Sequence, residues 1–76
     1  MRPLPADRVM TIWRDPLGRV MATIAQGVRV SADGRLVTVY VAAIAGESQE
    51  RKTFACAARA INEWAARSGL RLTAGT

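Results

Sequence analysis

The stretch that most constrains this chain runs from Arg19 to Ala45, where two long, largely apolar runs flank Ser31-Ala32-Asp33-Gly34. This arrangement predicts a β-hairpin: a strand from Val20 to Val30, a turn in which Gly34 takes positive φ, and a strand from Arg35 to Ala45. Further on, Phe54, Ala57, Ala58, Ile61, Trp64 and Ala65 recur at helical spacing. One amphipathic helix can cover only one side of a sheet. The uncovered side is therefore expected to meet a partner.

The flanking segments extend this frame. In Arg8–Arg14, Val9, Thr11 and Trp13 alternate with Met10 and Ile12, which favours a strand over a single helical turn capped by Asp7. Asp15-Pro16-Leu17-Gly18 carries the residues of a type I turn. Two registers compete for the following hairpin. The hydrophobic pattern places Ala22, Ile24 and Val28 with Val37, Val39 and Val41 on one face, and Thr23, Arg29, Leu36, Thr38 and Tyr40 on the other. A three-residue loop with Gly34 as a bulge would instead set Arg29 opposite Val37. We favour the hydrophobic pattern, with Gly27 as a second bulge that repairs it.

The helix is expected over about residues 49–68, with Ser48 as N-cap and Glu50 in the first turn. Thr53 is the competing cap, in which case residues 50–53 add a short fourth strand. Gly69 at the left-handed position, with Leu70 folding back, should close the helix. Residues 71–76 add a brief edge strand through Leu72 or fray, and the proline-rich residues 1–7 form a loose arm. The expected fold is α+β, one domain over residues 1–76. A three- to four-stranded antiparallel sheet, with residues 8–45 at its heart, is packed on one face by a single C-terminal helix.

Composition narrows the chemistry. The 76 residues contain no histidine and a single cysteine, Cys56, so the commonest general base and ordinary zinc spacing are both missing. The acids fall mostly at turns or helix positions, where capping or a solvated pair explains them, and no glycine-rich phosphate loop is present. Neither catalytic residues nor a cofactor nor a metal site is expected, and the protein is not expected to be an enzyme. The lone cysteine fits a reducing cytoplasm. The opening residues have no apolar core of signal-peptide length, and no apolar run reaches membrane-spanning length.

The net charge of +5 arises from ten arginines and Lys52 against six acids. Such a balance favours a polyanion, because each neutralised phosphate releases counterions; an arginine-rich genome would leave the same mark. Basic and aromatic residues on the uncovered face would suit stacking on bases and contacts to phosphate. Arg14, Arg19, Arg29, Arg35 and Tyr40 are the candidate contacts to DNA, RNA or a nucleoprotein complex. The competing expectation is protein contact, with a host protein or with a second copy. Trp13 and Tyr40 would then belong to a small second core or a dimer seam, and Met10, Met21, Leu36 and Ile44 would otherwise leave an apolar patch in water.

Three resemblances bear on these alternatives. Lys52-Thr53-Phe54 after a strand, turn, strand unit, followed by a helix with Ala60 and Trp64, resembles the arm-type N-terminal DNA-binding domain of tyrosine integrases over about residues 28–67. Trp64 stands one residue late for that pattern. This resemblance implies DNA binding through the sheet by Arg29, Arg35 and Tyr40. Asp15-Pro16-Leu17-Gly18, the run from Gly27 to Asp33, and Val39-Tyr40-Val41 are similar to the first hairpin of ribosome-binding factor A, without that family's long first helix. In size and architecture alone, the chain also resembles phage anti-CRISPR proteins, which implies an inhibitor acting by protein–protein contact.

Overall fold

Two hairpins of this chain close with the same loop chemistry. In the structure, a computed structural model that describes residues 8–75, the N–H of Gly18 donates to the Asp15 carbonyl (2.9 Å) and that of Asp15 to the Arg19 carbonyl (3.0 Å). The N–H of Gly34 likewise donates to the Ser31 carbonyl (2.9 Å) and that of Ser31 to the Arg35 carbonyl (2.8 Å). Gly18 and Gly34 take φ of 83° and 85°, the left-handed position that follows a type I turn in a three-residue loop. The first loop joins β1 (Arg8–Arg14) to β2 (Val20–Val30), and the second joins β2 to β3 (Leu36–Ile44). A tighter turn at Ala45-Gly46, both at positive φ, leads into β4 (Glu47–Arg51).

The helix α1 (Phe54–Arg67) follows, and β5 (Thr73–Gly75) ends the described elements. The five strands form one sheet in the order β4-β3-β2-β1-β5, with every neighbouring pair antiparallel. The fold is α+β, with α1 packed on one face. It exceeds the expected three or four strands because β4 and β5 are both present.

The sheet core departs from the favoured register. The β2–β3 ladder runs unbroken from Ala22↔Ile44 to Val30↔Leu36, so Gly27 is not a bulge. Arg29 pairs with Val37, as the Gly34 loop dictates. Ala22, Ile24 and Val28 therefore share their face with Leu36, Thr38, Tyr40, Ala42 and Ile44, and this is the side α1 covers. Val37, Val39 and Val41 lie on the other side with Thr23 and Arg29. A ladder offset of one residue exchanges the two faces completely.

In β1 the expected alternation is also broken. Val9 pairs with Ala25 and Thr11 with Ile24, leaving Met10 as the extra residue of a β-bulge. The bulge puts Val9 and Ile12 on the open face while Thr11 and Trp13 stay on the helix side.

Ile24 and Ile61 are fully buried, and Trp13, Ala22, Ala42, Ile44, Ala57 and Ala65 complete the core. Alanines on both the sheet and the helix let the two layers approach closely. Trp13, 4% exposed, fills the flank with a single large ring. Thr53, the competing cap, is the N-cap: its hydroxyl accepts the Cys56 N–H at 3.1 Å. Residues 49–53 are thus outside the helix, and Ser48 belongs to β4. At the other end the Leu70 N–H donates to the Ala65 carbonyl (2.9 Å), with Gly69 at φ 69°, which satisfies an orphan carbonyl as expected. The proposed arm, residues 1–7, lies outside the described residues.

Candidate nucleic-acid interface

The sequence-predicted contacts do not converge on one surface. Arg14 and Arg19 sit at the β1–β2 loop, where Arg14 donates to the Gly18 carbonyl (3.1 Å) and Arg19 pairs with Asp15 (2.7 Å). Arg29 and Arg35 lie at the opposite end of β2, about 30 Å away at the usual rise per strand residue. Arg29 is on the open face and bonds the Glu50 carboxylate at 2.5 Å. Arg35 is at the hairpin tip, 3.5 Å from Asp33. Tyr40 is on the helix side, where its ring meets that of Phe54. Trp13 is buried there too. The open face therefore holds no aromatic residue among the described ones, and its central residues are small and aliphatic.

The ladders bring a different set together. Arg8 pairs with Gln26, Gln26 with Tyr40, and Tyr40 with Arg51. These four residues form one cross-strand row on the helix side, level with the first turn of α1. Three strand spacings separate Arg8 from Arg51, about 14 Å. Tyr40 stands between them, half-buried, with Arg8 and Gln26 exposed. Arg51 is braced by its own strand: its guanidinium donates to the Gln49 side-chain oxygen (2.5 Å) and the Glu50 carbonyl (2.9 Å).

Beyond Arg51 a groove of about 330 Å³ runs between β4 and α1, with Arg51 and Arg67 among its walls and Trp64 and Ala60 also lining it. Glu47 and Glu63 share that lining, so the groove carries both signs of charge while the row itself is basic.

The distribution of ion pairs sharpens the contrast between the faces. Asp15, Asp33 and Glu50 engage Arg19, Arg35 and Arg29. The Asp15 carboxyl lies below its usual value, first because the Arg19 backbone N–H donates to it, then through the Arg19 guanidinium and the Leu17 N–H. Asp33 is also lowered, chiefly by the Ser31 hydroxyl and then by the Arg35 N–H. Among the described residues Arg8, Arg14, Arg51, Lys52, Arg59, Arg67 and Arg71 make no ion pair with an acid. Arg8, Arg51, Arg59 and Arg67 lie on the helix side or on α1 itself, so much of the unneutralised charge faces away from the valine face.

The chain matches no family model, no curated protein and no solved structure. The site therefore rests on geometry alone. Three of its members, Arg8, Gln26 and Arg51, were missed in the sequence because they become neighbours only through the register. The signal that would have found them is the Gly34 loop, which fixes Gln26 opposite Tyr40. Among the described residues no cluster of acids and cysteine could hold a metal, and no helix is long and apolar enough to cross a membrane.

Proposed function

We propose that this protein is a small non-enzymatic binding module for nucleic acid or a nucleoprotein complex, with the row Arg8, Gln26, Tyr40 and Arg51 as its contact surface. The observation that carries this reading is a tyrosine set between two arginines that no acid neutralises among the described residues. An aromatic ring offers a stacking surface to any base, and flanking guanidiniums supply phosphate contacts. Gln26 adds a side chain that both donates and accepts. Lys52 and Arg59 extend the positive field beyond the row. This reading keeps Tyr40 from the sequence-predicted set and assigns Arg14, Arg19, Arg29 and Arg35 at most a supporting role in the field.

The test is fluorescence anisotropy with short single-stranded DNA and RNA across a salt series. Loss of two phosphate contacts in Arg8→Ala/Arg51→Ala should lower the salt slope by about 1.4–1.8. Absence of binding at low salt, or an unchanged slope in the double variant, would overturn the reading.

One observation favours a second reading, a protein inhibitor acting by contact with a host protein. The β2–β3 hairpin tip exposes Val30 and Leu36, Leu36 at 68%, and an apolar tip suits a protein groove better than a phosphate backbone. That reading predicts a single protein partner, little salt dependence, and no affinity for free nucleic acid.

A further inference from the structure

The outer edge of β4 is open: β4 pairs with β3 alone, and no described strand lies beyond it. The backbone groups it offers follow from the hairpin. Ile44 and Glu47 flank the Ala45-Gly46 turn as a cross-strand pair, and the pair that closes a two-residue hairpin exchanges both its hydrogen bonds. Bonded pairs to β3 therefore fall at Glu47, Gln49 and Arg51. Ser48 and Glu50 turn their N–H and C=O groups outwards.

The side chains carry a second pattern. Glu47, Gln49 and Arg51 stand on the helix side, paired with Ile44, Ala42 and Tyr40. They line the groove between β4 and α1, whose other wall includes Glu63 and Arg67. None of these four charged groups makes an ion pair among the described residues. They differ in this from Arg29 and Glu50, which bond to one another within the chain. β4 is also the only described strand with more acid than base, in a chain of net charge +5.

We propose that two copies of this chain join edge to edge, β4 against β4, antiparallel about a two-fold axis at Gln49. In that register Ser48 of each copy bonds through its backbone to Glu50 of the other, so the outward-facing groups meet. Gln49 meets Gln49. Glu47 of each copy stands opposite Arg51 of the other, on the helix side, at a non-bonded pair where side chains come closest. Opposite charges at such a pair stabilise and like charges repel. The Arg51 guanidinium is already held by the Gln49 side chain and the Glu50 carbonyl, with donors to spare for a carboxylate.

A two-fold interface must be complementary to itself. Glu47-Ser48-Gln49-Glu50-Arg51 meets that condition, with an acid at one end and a base at the other. The neighbouring registers that also match outward-facing groups do not. An axis at Glu50 sets two carboxylates face to face, and one at Ser48 leaves Arg51 opposite the Ala45 turn. Charges that ordinarily keep an edge strand single here select one register.

The proposal does not rest on the nucleic-acid reading; the two share Arg51, for which a second copy and a phosphate would compete. Sedimentation equilibrium of the full chain up to about 500 µM tests it, a range that populates any dimer of micromolar dissociation constant. The expected result is twice the monomer mass. Glu47→Arg and Arg51→Glu should each weaken dimerisation about tenfold with circular dichroism unchanged, because each sets like charges opposite at both ends of the interface. Mixed in equal amounts, the two variants should associate with one another about as well as the parent chain, since every like-charge pair becomes an opposite one. Should Arg51→Glu fail to fold, Glu47→Arg alone decides. A monomer at the highest concentration overturns the proposal. So does a dimer that folded Glu47→Arg leaves unweakened, or a mixture of folded variants that stays monomeric.

Discussion

Tyr40 and Phe54 meet with ring centroids 6.2 Å apart and planes at 88°. This edge-to-face contact ties the first turn of α1 to the middle of β3 and fixes where the helix begins over the sheet. It also sets the posture of Tyr40, which presents to solvent the part of the ring that Phe54 leaves uncovered. A double-mutant cycle between Tyr40→Ala and Phe54→Ala, read by urea denaturation, should give a coupling of about 0.5–1.5 kcal/mol. Simple additivity would show that the rings are neighbours without being partners.

The start of α1 rests on one hydroxyl. Removing it in Thr53→Ala leaves the Cys56 N–H without its acceptor, and the expected loss is about 0.5–2 kcal/mol. Ser48→Ala, in exposed β4, should change stability by less than about 0.5 kcal/mol. Comparing the two denaturation midpoints checks the assignment, and a larger effect at Ser48 would contradict it.

Ala45 occupies the left-handed region at φ 51°, followed by Gly46 at 85°. A side chain there is strained, and two-residue hairpins prefer Asn-Gly at these positions. Ala45→Asn should therefore stabilise the protein by about 0.5–1 kcal/mol, seen as a higher thermal midpoint. Ala45→Val should do the opposite.

Acid sensitivity follows from the two loop aspartates. Asp15 and Asp33 both titrate below their ordinary range in the folded chain. At intermediate pH the unfolded chain binds more protons than the folded one, so their contribution is present above the unfolded pKa of about 3.9. It is lost as pH falls through the lower folded values. Unfolding free energy measured from pH 6 to pH 2 should decline in that window, and Asp15→Asn should flatten the decline. An identical profile in the variant would remove Asp15 from the account.

Much of the frame was legible because turn chemistry is local. Asp15-Pro16-Leu17-Gly18, the Gly34 loop and Gly69 each mark a backbone position that few residues can occupy, and each ends an element as expected. The β3 register was harder to read because both faces of the strand are apolar. Val37, Val39 and Val41 satisfy alternation as well as Tyr40, Ala42 and Ile44 do, so hydrophobicity could not choose between them. Bulkier valines looked like core, while the real core uses alanine to admit the helix. β4 was legible only as the alternative tied to a Thr53 cap, and with a later start: Glu47-Ser48-Gln49-Glu50-Arg51 is the polar composition of a protected edge strand, and also that of a helix start. The proposed contact row was illegible because its members belong to four strands and meet only through three ladders.

Strand order along the sheet follows chain order from β4 back to β1, so most of the ladder can zip up through short loops between sequence neighbours. β5 is the exception. It joins β1 through only three pairs, Ile12↔Gly75, Trp13↔Ala74 and Arg14↔Thr73, and all three of its own residues are exposed. A latch so small should open far below the free energy of global unfolding. Its amides would exchange early while Ile24 and Ile61 stay sealed, and each opening would bare the outer hydrogen-bonding groups of β1 without disturbing the core behind them.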